Sequence, residues 1–303
     1  MTRKVQMFLS RITAKEYLIL FMGVLILSLI FFSQYADASS NSNNYFESLQ
    51  KRLIEDGLHK DRISELYKRP EVYFETKGVS RFLVHREASL NYNQFTSKKS
   101  ILNALKYMEE HQKILERTEK TYGVDKEIVT AIILVETRLG MLIGGQSVLN
   151  TLSTMAALSD PDVRDMFWGK VSKSTPLTRE QFEKWVKRKS SWAYKELKAF
   201  LNYTDRENMD PVAVPGSYSG AMGIAQFMPT NVLAFAKDGN DDGQINLFDH
   251  SDAIISIASY LKHYGWYPGI DGKKAYNVIY HYNHSQQYVD TILKVSVLLK
   301  SKT

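Results

Sequence analysis

The stretch Ala131-Ile-Ile-Leu-Val-Glu-Thr-Arg-Leu-Gly140 decides how this chain is read. Ile128, Val129, Ile132, Ile133 and Glu136 recur at helical spacing, with Asp125 placed to cap the start and Gly140 to stop the end. Glu136 follows Val129 by seven residues, Ile132 by four and Ile133 by three, so it shares their face. A carboxylate on such a face is either paired, with Arg138 or a lysine near the helix end, or has a chemical task. Burial disfavours its charged form, and the negative end of the helix dipole acts in the same direction. A carboxylic acid that keeps its proton near neutral pH is the donor that a glycosidic bond needs.

Helical patterning extends outward from this segment. ESLQKRLIEDG and KDRISELYKR alternate apolar and charged positions at helical spacing until Pro70 breaks them. Residues Ser97–Gly123 read as one long amphipathic helix, and another helix starts near Val148. Residues 160–190 are polar and charged. Ser190–Tyr203, Ser251–Tyr264 and Ala275–Leu299 are again helical. Strand signals are few, the best being INLF (Ile245–Phe248), and no repeat of solenoid period occurs. The fold class is therefore mainly α, with a small sheet.

The chain has 303 residues, 44% of them apolar, enough for a real core. Its net charge is +6, of which residues 1–38 supply +2, leaving a mildly basic remainder far from a nucleic-acid footprint. With no cysteine, disulfides, thiolate metal sites, a cysteine nucleophile and a lipid-modified cysteine anchor are excluded. Arg3, Lys4, Arg11 and Lys15 precede the uncharged run Tyr17–Phe32, and Ala36-Asp-Ala38 has the form of a cleavage site. Residues 1–38 thus read as a signal peptide or a retained membrane anchor, so the rest is exported to the periplasm or cell envelope. Residues 39–44, SSNSNN, are a polar linker, and 45–303 form the functional region.

Three further stretches carry candidate chemistry. Counted from Asp238, oxygen-bearing side chains occupy positions 1, 3, 5, 9 and 12 of a twelve-residue loop: Asp238, Asn240, Asp242, Asn246 and Asp249. Gly243 stands at the sharp turn, Gln244 offers a backbone carbonyl and Ile245 is the apolar plug, as in an EF-hand-type calcium loop. Asp249 replaces the usual glutamate and shortens the reach at position 12. A single copy suits a structural clip better than a sensor; the plain alternative is a polar surface turn. In GSYSGAMGIAQFMP (Gly216–Pro229), glycines allow close backbone approach while Ser217 and Gln226 supply polar groups; a tight packed turn would look the same. It is no nucleophile elbow, and no histidine stands ready beside it. Tyr282 and Asn283 offer a ring and an amide of the kind that hold sugars, or else belong to an aromatic core stripe. His281 and His284 lack the partners of a zinc site.

Taken in order, GVDKEIVTAIILVETRLG, GSYSGAMGIAQFMP, DGNDDGQINLFD, SYLKHYGW and YNHSQQYVDTIL resemble the B-type membrane-bound lytic murein transglycosylases, over roughly Leu105–Leu299. The resemblance implies an α+β lysozyme-like fold. It implies cleavage of the β-1,4 bond between N-acetylmuramic acid and N-acetylglucosamine in peptidoglycan, with the muramyl 6-hydroxyl closing a 1,6-anhydro end. By the same resemblance Glu136 is the sole acid/base, and Ser217 holds Glu136 or the substrate's N-acetyl group. Gln226, Tyr260, Tyr282 and Asn283 line the glycan groove. Calcium, the only cofactor implied, is held by Asp238, Asn240, Asp242, Asp249 and the carbonyl of Gln244. Ordinary glycosidases need a second carboxylate; Asp160, Asp162 and Asp165 remain open for that role. A hydroxyl already tethered to the substrate gains from proximity and needs less activation than water. The competing readings are a water-using muramidase and a non-catalytic peptidoglycan-binding scaffold with cell-wall complex partners. The chain departs from the family at Leu139, where an aromatic is common, in lacking a cysteine for lipid attachment, and in Asp160–Ser191, which has no clear counterpart.

Overall fold

The computed structural model describes residues 45–84 and 91–302; the expected export segment, 1–38, and the linker, 39–44, lie outside the described residues. The alternating charge and apolar pattern near the start folds as α1 (Glu47–Glu55) and α2 (Lys60–Lys68), which bury Leu49, Leu53, Ile63, Leu66 and Tyr67. They are followed by α3 (Thr76–Val84), α4 (Lys98–Glu110), α5 (Gln112–Tyr122), α6 (Lys126–Thr137), α7 (Val148–Ala157) and α8 (Pro161–Val171). The remaining helices are α9 (Arg179–Arg206), α10 (Pro229–Phe235), α11 (His250–His263), α12 (Gly272–Tyr282) and α13 (Gln286–Lys300). Two short 3-10 turns, Tyr92–Thr96 and Pro211–Ala213, join them. The sheet is a minimal antiparallel pair, β1 (Gln146–Ser147) and β2 (Pro215–Gly216), with Gln146 opposite Gly216 and Ser147 opposite Pro215. Single bridges from Gly216 to Met222 and from Met222 to Phe227 continue it into the glycine-rich loop. The described residues are thus mainly α with a small sheet, as expected.

α6 lies at the centre. Within residues 127–137 every side chain is buried except Val135 and Glu136, so α6 is a core helix covered nearly all round rather than a surface helix with one apolar stripe. α13 packs along it most extensively, with α4, α5 and α11 against other parts of its surface. Asp125 occupies the N-cap position without capping: its carboxylate instead accepts from Lys300 Nζ (2.5 Å) and Trp266 Nε1 (3.2 Å), tying α6 to the last helix. At the other end the helix stops at Thr137, three residues before the expected glycine. Arg138, Leu139 and Gly140 all take left-handed backbone conformations (φ 50°, 64° and 84°). The buried Thr137 hydroxyl reaches the Ile224 carbonyl (3.1 Å) and accepts the Gly140 N–H (3.0 Å), fastening this exit to the glycine-rich loop.

Three sequence expectations are corrected. Ser97–Gly123 is two helices, because His111 leaves helical geometry (φ −108°, ψ 21°) and its ring stacks on His250, 4.6 Å between centroids. The helix expected from Ser190 starts at Arg179, where Thr178 and Gln181 form a reciprocal capping box, and runs 28 residues. INLF is not a strand. The Ile245 N–H is taken by the Glu207 carboxylate (2.9 Å) and the Asn246 N–H by Asp252 (2.7 Å), which leaves no ladder to build.

Candidate functional site

The left-handed exit of α6 leaves Glu136 half-buried in the wall of a cleft of about 570 Å³. Tyr288, 1% exposed on α13, donates its hydroxyl to Glu136 Oε1 at 2.7 Å. Tyr282 lies nearly parallel to Tyr288, 6.4 Å between ring centroids, and its hydroxyl donates to the Ala225 carbonyl at 2.6 Å. Burial, reinforced by the Glu136 carboxylate, pushes both phenols well above the ordinary tyrosine value, so both remain donors. Among the described residues lining the cleft, Glu136 is the one carboxylate.

The glycine-rich loop forms the facing wall. Ser217 lines the cleft half-buried, and its Oγ accepts the Ala221 N–H (3.1 Å) and bonds the Ser219 hydroxyl (2.9 Å), so it shapes the turn. Gln226 also faces the cleft, with a left-handed backbone (φ 48°). Its amide nitrogen is used on the carbonyls of Gly223 (2.8 Å) and Ile143 (3.2 Å), so the amide is held by scaffold bonds. Asn283 lines the cleft where α12 ends, in extended conformation. Tyr260 does not line it. It is 4% exposed, its hydroxyl donates to the His281 carbonyl (2.6 Å), and its ring packs edge-on behind Tyr282 at 5.0 Å. The expectation that Tyr260 touches glycan is therefore corrected to a supporting role: its hydroxyl is spent on backbone in the core.

Asp160, Asp162 and Asp165 are remote from the cleft. Asp160 caps α8 and, with Asp162, lines a separate surface hollow beside Tyr45, while Asp165 pairs with Arg179. None can serve as a second carboxylate to Glu136 in this arrangement.

The Asp238–Asp249 loop turns as its spacing requires, with Asp241 and Gly243 left-handed (φ 64° and 87°). Asp238 accepts the N–H groups of Asp241 (2.7 Å) and Gly243 (2.8 Å), and the Gly243 bond leads in holding its carboxyl below the usual range. Asn240 and Asp242 interlock, Nδ2 to Oδ2 at 3.0 Å. Position 12 differs from the template. Asp249 uses one oxygen, Oδ1, as the N-cap of α11, accepting from Ser251 (2.7 Å) and Asp252 (3.3 Å). The carboxylate that enters the loop is Asp252, fully buried, which accepts the N–H of Gly239 and of Asn246, each at 2.7 Å. Burial pushes Asp252 up from the ordinary aspartate value. Arg117 of α5 clasps the outer side through Asp241 (2.7 Å) and the Gly239 carbonyl. The donors at positions 1, 3 and 5, with the Gln244 carbonyl, are all oxygen, which suits a hard cation such as Ca²⁺; Asp249 does not complete the set as the spacing predicted.

Cleft and loop are joined by backbone. Ile224 N–H donates to the Leu247 carbonyl (2.8 Å), while the Ile224 carbonyl receives Thr137. Gly223 (φ 73°) permits this approach, since a Cβ there would lie 2.5 Å from Leu247. Tyr288 and Asp252 were both missed by sequence reasoning. Tyr288 had one available signal, a tyrosine in an otherwise apolar helix face whose hydroxyl must find a partner.

Residues 41–272 match the family model of the transglycosylase SLT domain. Membrane-bound lytic murein transglycosylase B of Escherichia coli (strain K12) is 34% identical over 183 residues, covering 60% of this chain and 43% of that relative, so the aligned part spans less than half of its length. The Escherichia coli lytic transglycosylase Slt35, solved in complex with calcium, superimposes with a TM-score of 0.67 at 23% identity, over 86% of this chain and 94% of that one. SltB3 from Pseudomonas aeruginosa, solved in complex with NAG-anhNAM-pentapeptide, gives a TM-score of 0.65 at 18% identity, over 86% and 79%. With its family model matched over most of its length, a fold shared with these solved structures and a cleft built around Glu136, the chain belongs to the transglycosylase SLT domain family.

Proposed function

We propose that the chain is a peptidoglycan lytic transglycosylase in which Glu136 alone serves as acid and base. The observation that carries this reading is a cleft whose described lining holds one carboxylate, gripped at one oxygen by a buried tyrosine. Glu136 protonates the oxygen leaving from the β-1,4 bond between N-acetylmuramic acid and N-acetylglucosamine. It then takes the proton of the muramyl 6-hydroxyl as that oxygen closes on C1. A nucleophile carried by the substrate removes the need for a second carboxylate at a fixed separation. Tyr288 orients the Glu136 carboxyl, and Ser217, Gln226, Tyr282 and Asn283 shape the surface on which the glycan lies. The SltB3 complex with an anhNAM ligand supports this product for a protein of the same fold.

Asp238, Asn240, Asp242 and the Gln244 carbonyl would hold a structural calcium ion, with Asp252 or Asp249 as the further carboxylate. The ion would supply charge neutralisation for the turn and no chemistry at the cleft. The Slt35 complex with calcium supports the assignment. Residues 1–38 are proposed to export the chain to the cell envelope, cleaved or retained as an anchor, with 39–44 as the linker to the 45–303 catalytic region. No helix among the described residues is long and apolar enough to cross a membrane.

The test is product analysis. Purified cell wall treated with the chain should yield muropeptides ending in 1,6-anhydromuramyl groups by mass spectrometry. Reducing muramyl ends in their place would make it a hydrolytic muramidase, and no release at all would make it a peptidoglycan-binding scaffold.

A further inference from the structure

A second group of carboxylates lies at the opposite end of α6 from Glu136, outside both the cleft lining and the Asp238–Asp249 loop. Glu119 near the end of α5, Asp125 in the turn between the helices and Glu127 in the first turn of α6 each bring a carboxylate oxygen to within 4.8 Å of the other two. Gly123 makes the turn possible. Its φ is 69°, and a Cβ there would lie 2.8 Å from Pro268, so the chain that follows α11 packs directly against it. The same stretch brings up Trp266, whose indole N–H donates to Asp125 Oδ2 at 3.2 Å. From α13 the Lys300 ammonium reaches Asp125 Oδ1 at 2.5 Å.

Glu127 separates this group from an ordinary set of surface acids. It is 5% exposed, and among the described residues its carboxylate accepts no hydrogen bond and has no cation within ion-pair distance. Glu119 uses one oxygen on the Lys126 N–H at 3.2 Å. Lys300 is the one cation among the described residues in contact with the three acids. Three carboxylates against one ammonium leave two negative charges, and a buried carboxylate is costly to keep without a counter-ion. Calcium takes oxygen ligands at about 2.3–2.6 Å, so oxygens that share one ion lie up to about 5 Å apart. The three carboxylates fall within that limit.

We propose that Glu119, Asp125 and Glu127 form a second divalent-cation site, of the calcium class, that braces the start of α6 against α5. Lys300 competes with the ion for Asp125, so the site should be weaker than the Asp238–Asp249 loop and fill at calcium levels above those that saturate the loop. It bears on the cleft through two helices: α6 carries Glu136, and α13, tied to Asp125 by Lys300, carries the Tyr288 that bonds Glu136.

The experiment uses the full chain and terbium(III), a luminescent ion that shares calcium's preference for oxygen, excited through tryptophan. Trp266 touches the site through Asp125, so terbium held there should emit, saturably, and calcium should displace it. Asp238→Ala should leave this emission in place. Glu127→Gln and Glu119→Gln should each weaken terbium binding by at least about tenfold, and Lys300→Met should tighten it. Glu119 is only partly buried, so its variant keeps the test sound if Glu127→Gln does not fold; folding of each variant is checked by its melting temperature. No tryptophan-excited emission from the folded, unaltered chain would overturn the site. So would emission unchanged in the folded Glu119→Gln variant, or emission lost in Asp238→Ala, which would assign the signal to the other loop. Emission seen only in Lys300→Met would also overturn it, because the ammonium would then already serve as the cation.

Discussion

Glu136 and Asp252 are two carboxylates near helix ends, and their surroundings separate them. Asp252 is fully buried and holds two backbone N–H groups at 2.7 Å, one from each side of the loop it closes. Glu136 is half-buried, faces a cleft, and accepts at one oxygen from the Tyr288 hydroxyl. A carboxylate committed to main-chain donors is a structural clasp, because moving its proton would unmake the fold around it. A carboxylate that opens on a cavity and meets a side-chain hydroxyl can change protonation with less disturbance to the chain. The molecule joins the two through Thr137, Ile224 and Leu247, so the clasp steadies the wall that carries Glu136.

The difference can be broken at either side. Asp252→Ala leaves two N–H groups of the loop without acceptors and should cost about 2–4 kcal/mol of stability by denaturant unfolding. A loss no larger than that of an exposed aspartate would remove it from the clasp. Calcium should act on the same side of the comparison. At a hundredfold excess over its Kd, an ion bound only by the folded chain adds ~2.7 kcal/mol, so melting temperature should fall with chelator, recover with calcium, and stop responding in Asp238→Ala. On the cleft side, Tyr288→Phe removes one hydrogen bond to a charged group. It should lower kcat about ten- to a hundredfold with little change in KM, and leave stability nearly as it was. A rise in KM instead would place Tyr288 in substrate binding.

The smallest effect belongs to a surface pair outside both regions. Arg69 bonds Asp210 at 2.7 Å and 3.0 Å, and this pairing leads the causes that hold the Asp210 carboxyl below its usual 3.8. The sign follows: the stabilisation is complete above the ordinary aspartate value and is lost as pH falls through the depressed one. Arg69→Met should therefore lower the melting temperature slightly at neutral pH, and the difference from the unaltered chain should close in acid.

Periodicity made the helices legible, and α6 most of all through its apolar spacing, although Asp125 makes no capping bond and the helix ends at Thr137, short of Gly140. It could not reveal the break at His111, which is set by stacking on a residue far along the chain, nor the start of α9, whose first turns are dominated by charge. The place of Glu136 in the cleft wall agrees with the expectation drawn from its company of motifs. Tyr288 was not legible, since a tyrosine in a buried helix face has the same spacing whether its hydroxyl meets a core carbonyl or a carboxylate 152 positions away. Tyr260 is the converse case: a family-like position, with its hydroxyl on the His281 carbonyl and its ring behind the cleft wall. Asp252 escaped because the twelve-residue loop template ends at Asp249, and only the folded chain brings the first turn of α11 back into the loop.

The most direct test of the central claim is the rate of 1,6-anhydromuropeptide release from purified cell wall by Glu136→Gln, which keeps the shape and an acceptor for the Tyr288 hydroxyl. With Glu136 as the sole acid and base, release should fall by at least about a hundredfold while the melting temperature stays close to that of the unaltered chain. Release at an undiminished rate from the folded variant would contradict the account.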